Sequence, residues 1–162
     1  MRAPLFAALL MLSACNRGEE ADSPATPGPA QLFLTENRTE PGVKTTESGL
    51  QYKVIRSGPA DGVRPKVGDE VKVHYEGTLT DGTVFDSSYQ SGAPRVFTVG
   101  QLVPGWDEVL QLMRPGDEWL VYVPPTLGYG ERGAGPIPPN SVLVFRMELL
   151  DVLPLGGGVQ RG

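Results

Sequence analysis

The sequence predicts an α+β fold: one curved antiparallel β-sheet wrapped around one short α-helix. Two observations lead there. Trp106, Val109, Leu110 and Met113 fall at i, i+3, i+4 and i+7, which puts four apolar side chains on one face of a helix of about two turns. Before and after that stretch, apolar and polar residues alternate singly, the period of half-buried strands. A helix this short is marginal alone in water, so the surrounding strands must hold its apolar face. Trp106, in the first turn, is thereby expected to form the floor of a pocket.

A chain of 162 residues with 21 Gly and 16 Pro suggests one domain, many turns and some length outside the core. Met1 to Cys15 reads as an export signal: Arg2 leads, Leu5 to Leu12 is apolar, and small Ser13 and Ala14 precede Cys15. The apolar run is too short to span a bilayer. Leu12-Ser13-Ala14-Cys15 resembles the lipobox of bacterial lipoproteins, which implies acylation of Cys15 and a membrane anchor worth about 0.8 kcal/mol per buried methylene. Asn16 in place of Asp after the Cys implies, by the same resemblance, sorting to the outer membrane. Residues 16–44 are rich in Glu, Ala and Pro, with one apolar run at Leu32-Phe33-Leu34, and are expected to form a flexible tether.

The folded domain is expected over residues 45–153. Leu50 to Ile55 makes a short strand, followed by a loop built on Gly58-Pro59, Asp61-Gly62 and Arg64-Pro65. From Asp69 to Leu79, Val71, Val73 and Tyr75 alternate with Lys72, His74 and Glu76, so the first set faces the core and the second faces water. Asp81-Gly82 turns the chain towards Val84-Phe85 as a hairpin, and Val96 and Thr98 mark the strand that enters the helix. Pro104-Gly105 breaks that strand. Asp107 and Glu108 suit the positive helix N-terminus, and Pro115-Gly116 stops the helix after Arg114. Trp119, Val121 and Val123 share one face of the next strand, as do Leu143, Phe145, Met147 and Leu149 in the last. The tail, residues 154–162, carries Gly156-Gly157-Gly158 and is expected to be mobile.

Several chemistries are excluded. A net charge of −5 without a long Lys/Arg run gives no basic face for nucleic acid. One Cys and one His cannot supply the usual ligands of a zinc site, so no metal or other cofactor is expected. Gly128-Tyr129-Gly130-Glu131-Arg132-Gly133 fits G-x-G-x-x-G, but Pro124-Pro125 before it and Pro136, Pro138 and Pro139 after it leave no helix for a dinucleotide loop to open. No nucleophile elbow exists, and His74 lies on the outward face of its strand. What remains is a concentration of aromatic residues near loops: Tyr75, Phe85 beside Asp86, Trp106 and Tyr129. Singly, each reads as core or loop anchor.

Together, six segments carry a family likeness: Val73-His74-Tyr75-Glu76-Gly77, Asp81 to Ser88, Val103-Pro104-Gly105-Trp106, Tyr129-Gly130, Ile137-Pro138-Pro139-Asn140 and Leu143 to Leu150. In this order, across residues 45–153, the chain resembles the FK506-binding protein family of peptidyl-prolyl isomerases, and within it the exported, macrophage infectivity potentiator-like bacterial members. The resemblance implies the sheet-over-helix fold. It also implies a pocket of Tyr75, Phe85, Asp86, Trp106, Tyr129 and Phe145, with Leu102, Val103 and Ile137 binding the substrate. Two departures stand out: Arg95 occupies a position where an aromatic wall is expected, and the Tyr89 to Ala93 loop lacks an Arg to pair with Asp86.

The activity so implied is isomerisation of X-Pro bonds in exported proteins, on proline-containing polypeptides, with inhibition by macrolides of the FK506 and rapamycin type. A barrier of about 18–20 kcal/mol separates cis from trans because the twisted amide loses resonance. A site that binds the twisted form best lowers it without a proton donor or nucleophile. A chaperone or peptide-binding module using the same groove without turnover is the second reading, and a purely structural surface lipoprotein the third. A monomer, lipid-anchored to the outer membrane and facing the periplasm, completes the expectation.

Overall fold

The computed structural model describes residues 26–155. The signal segment, Cys15, the first part of the tether and the glycine tail lie outside them. The elements in order are α1 (Pro29–Asn37), β1 (Val43–Thr45), β2 (Gln51–Arg56), β3 (Glu70–Thr78), β4 (Val84–Ser87), β5 (Arg95–Thr98), α2 (Pro104–Leu112), β6 (Glu118–Val123) and β7 (Leu143–Leu153). All seven strands join one antiparallel sheet in the order β1-β2-β6-β7-β3-β4, and β5 also pairs with β3. One edge of β3 is shared by two partners, β5 along Glu70–Val73 and β4 along Glu76–Thr78, while its other edge runs along β7.

Helix α2 sits against the sheet as its periodicity predicts. Val109, Leu110 and Met113 are fully buried, and burying each such side chain contributes about 1.5–3 kcal/mol. Pro104 occupies the first helical position, where its missing N–H costs nothing. Asp107 accepts from the Gly100 N–H at 2.7 Å, fixing the chain that enters the helix. At the exit, Asp117 accepts from the Arg114 N–H at 2.9 Å and from the Gly58 N–H at 2.6 Å, which ties the preceding loop to the helix stop. From the sheet, Val71, Val73, Val121, Val123, Leu143, Met147 and Leu149 complete the core, the inward sets that alternation assigned to their strands.

The expectation of a tether through residue 44 needs correction. Residues from Pro29 onward are ordered: α1 forms, and β1 pairs with β2. The cause is polar as much as apolar. Asn37 Nδ2 donates to Gln51 Oε1 at 2.8 Å, and Gln51 Nε2 donates to the Leu34 carbonyl at 2.8 Å, satisfying a carbonyl in the last turn of α1. Phe33 packs obliquely on Tyr122 of β6, ring centres 6.1 Å apart. At the other end, the start of the expected mobile tail is held: the Leu155 N–H donates to Asp69 Oδ1 at 2.9 Å. None of the helices in the described residues is long and apolar enough to cross a membrane.

Candidate active site

At the open end of α2 lies a cavity of about 410 Å³ lined by the sheet, the helix and two loops. Its floor is Trp106, 95% buried by the chain around it, since its exposure is 5%. Tyr75, Phe97 and Phe145 approach the indole at 4.9, 5.3 and 5.2 Å, with interplanar angles of 89°, 75° and 87°. Rings at right angles to a floor stand as walls; stacked rings would have covered it. The edge-to-face arrangement is also the one that aromatic quadrupoles favour.

Phe85 adds a fourth wall, edge-on to Phe145 at 5.6 Å and 90°. Its presence beside Asp86 is unusual, because neighbours along a strand point to opposite faces. The β3–β4 register explains it. Asp86 pairs with Gly77 and Val84 pairs with Thr78, so Phe85 is an extra residue in a bulge and both side chains reach the cavity. Gly77 is the other half of this device. A Cβ there would lie 2.7 Å from Phe145 Cε1 and 2.7 Å from Phe85 Cε2, so only glycine lets the two rings meet over the strand.

The polar edge is built from Tyr75 and Asp86. The Tyr75 hydroxyl donates to Asp86 Oδ2 at 2.5 Å. Burial, then that bond and the Asp86 charge, raise the Tyr75 phenol well above its ordinary value, so it remains a donor. Ser88, fully buried, pins this corner: its Oγ accepts from the Tyr75 N–H at 2.8 Å and contacts His74 Nδ1 at 2.8 Å. His74, on the outward face of β3 as expected, is half-buried there, stacked on Tyr89 at 4.6 Å and 8°. Across the cavity, Tyr129 is 41% exposed, and its hydroxyl has no hydrogen-bond partner among the described residues. Ile137 is held by a two-way main-chain bridge with Ala134, at 2.8 and 3.0 Å. Gly133 permits that tight loop, since φ is +64° and a Cβ would meet the Ile137 carbonyl at 2.3 Å.

All nine residues named from the sequence, Tyr75, Phe85, Asp86, Leu102, Val103, Trp106, Tyr129, Ile137 and Phe145, line this one cavity. Sequence reasoning missed Phe97 and the loop residues Ala134, Gly135 and Pro136, which line it too. The two departures seen in the sequence are each offset nearby. The aromatic wall sought at Arg95 is supplied by Phe97, two residues on and on the same face of β5. Asp86 does have an arginine partner, because Arg95 itself approaches Asp86 Oδ1 to 3.4 Å. Among the described residues no group of three or more His, Cys, Asp or Glu is placed to hold a metal ion. The cavity's side chains offer hydroxyls, one carboxylate and aromatic faces: equipment for binding and orienting a compact, partly polar ligand.

The family model for FKBP-type peptidyl-prolyl cis-trans isomerase matches residues 62–150, and that for the domain amino-terminal to such isomerases matches residues 13–54. The chain is 51% identical over 124 residues to the peptidyl-prolyl cis-trans isomerase Mip of Coxiella burnetii, covering 76% of this chain and 53% of that one. To the outer membrane protein MIP of Legionella longbeachae it is 50% identical over 121 residues, covering 74% and 51%. Among solved structures, FkpA from Escherichia coli superposes with a TM-score of 0.73 at 44% identity, covering 77% of this chain and 58% of that one. The chain thus spans about half the length of the curated relatives it matches.

Proposed function

The chain belongs to the FKBP-type peptidyl-prolyl cis-trans isomerases, and from that premise we propose that it accelerates X-Pro isomerisation in exported polypeptides. The observation that carries the reading is the open indole floor with rings standing on edge around it. The proline ring rests on Trp106 between Tyr75, Phe85, Phe97 and Phe145. There water is excluded, and the twisted amide, less polar than the planar one, is the better-bound form. Tyr129 donates a hydrogen bond to a substrate carbonyl, and Ile137 with Leu102 and Val103 holds the chain on either side. Asp86, steadied by Tyr75, accepts a substrate N–H. No step transfers a proton or forms a bond.

Membership of the family supports binding of macrolides of the FK506 and rapamycin type in the same cavity. Residues 1–15 serve as a lipoprotein signal, Cys15 carries the lipid, and the segment before α1 spaces a monomeric folded unit, which begins at α1, from the membrane. The outer-membrane name of the Legionella relative supports a periplasm-facing position. Isomerisation of a Leu-Pro tetrapeptide, measured with the wild-type chain and with Phe85→Ala, tests the reading. Catalysis that falls at least tenfold in the variant supports it, and an unchanged rate removes it.

A further inference from the structure

Arg95 is placed unlike the arginines on the opposite face of the sheet. There, Arg146 is hydrogen-bonded to Glu118 at 2.6 Å, and Arg56 to Glu148. Arg95 has no such anchor. Its contact with Asp86 is a single 3.4 Å approach that lacks hydrogen-bond geometry, and none of its N–H donors has an acceptor among the described residues. What fixes the side chain is the Asp86 charge and the face of Tyr75, whose ring centre lies 5.8 Å from the guanidinium carbon. The pairing of Arg95 with Val73, two residues from the Phe97 pair with Val71, sets Arg95 and Phe97 on the same face of β5. A half-exposed cation, its side chain 46% accessible, therefore stands at the rim of the cavity with its donor fork open.

A carboxylate is the ligand group that such a fork takes best, because two parallel N–H···O bonds fit its plane. Asp86 uses one oxygen on Tyr75 and offers Arg95 only a long contact through the other, so it does not fill the fork. We infer that Arg95 is a specificity-determining residue that favours substrates with an acidic residue immediately before the proline. The inference rests on the isomerase reading above, in which Asp86 accepts a substrate N–H: Arg95, beside Asp86 and over the face of Tyr75, is then the cation within reach of the side chain next to the proline. Arg95 acts on choice of substrate and leaves the barrier-lowering floor to the aromatic walls.

The test uses the full chain and tetrapeptides with Leu, Glu or Lys before proline. Wild type should turn over Glu-Pro in preference to Lys-Pro. Arg95→Ala should lower the Glu-Pro to Leu-Pro ratio of kcat/KM about two- to fivefold, the range of an exposed ion pair, and leave Leu-Pro within about twofold. Arg95→Glu should invert the order so that Lys-Pro exceeds Glu-Pro, and Arg95→Lys should restore the wild-type order. Ratios unmoved by Arg95→Ala and Arg95→Glu, or an equal fall on all three peptides, would overturn the assignment. Quenching of tryptophan fluorescence by the same peptides reads binding separately. Absence of all turnover contradicts the isomerase reading, whereas a Glu-over-Lys binding preference that Arg95→Ala abolishes still upholds Arg95.

Discussion

The Tyr75 hydroxyl donates to Asp86 Oδ2 at 2.5 Å, joining β3 to β4 at the one place where a bulge turns two consecutive residues into the same cavity. That bond defines the polar side of an otherwise aromatic pocket, and the behaviour of the site follows from how it is supported.

Tyr75→Phe keeps the ring that walls Trp106 and removes the bond. Loss of one such bond to a charged acceptor costs about 1.5–3 kcal/mol at most, less here because the Asp86 carboxylate is partly exposed to water. Isomerisation should fall several-fold and the melting temperature only slightly. An undiminished rate would show that Asp86 needs no support.

The raised phenol pKa of Tyr75 has a consequence for alkaline stability. The folded chain keeps this proton at a pH where the unfolded chain, with an ordinary value of about 10, releases it. The contribution is complete below about pH 10 and is lost progressively above it. Tyr89 and Tyr122 are also raised by burial, so they act in the same direction. Urea titrations between pH 8 and 11 should show stability falling at the alkaline end, less steeply in Tyr75→Phe; parallel curves would contradict the assignment.

Ser88→Ala removes the buried acceptor of the Tyr75 N–H and the partner of His74. An orphaned buried donor costs about 1–3 kcal/mol, so chemical denaturation should detect it clearly. Because Ser88 lies two residues from Asp86, activity should fall as well, with KM moving more than kcat.

Gly77→Ala forces a methyl group into the gap between Phe85 and Phe145, where the three nearest ring atoms lie at 2.7 Å, nearer than a real Cβ tolerates. Overpacking of this kind costs about 1–3 kcal/mol. The variant should be destabilised and lose activity together, whereas Gly82→Ala, at a turn with open space around it but a φ of +88°, should affect stability alone.

Much of this site is legible in the sequence because two periodicities and a set of ordered segments point to one place. The 3.6-residue spacing from Trp106 to Met113 finds α2, and strict alternation finds β3, β6 and β7. What stays hidden has particular causes. Helix α1 depends on the Asn37–Gln51 pair, a contact between polar residues that apolar counting ignores. Phe97 is missed because Val96 and Thr98 carry the strand signal, while the residue between them is the one that faces the indole. The Arg95–Asp86 approach needs β5 and β4 to share the edge of β3, a register that no local pattern encodes. The bulge at Phe85 is invisible for the same reason.

The central claim is that an aromatic cavity floored by the Trp106 indole lowers a rotational barrier. Its most direct test is the rate of cis-to-trans conversion of a Leu-Pro peptide with wild type and Trp106→Leu, the fold of each checked by circular dichroism. The account predicts rapid catalysis by wild type and a loss of at least tenfold in the folded variant. A wild type that leaves the spontaneous rate unchanged, or a folded Trp106→Leu that retains full activity, would contradict it.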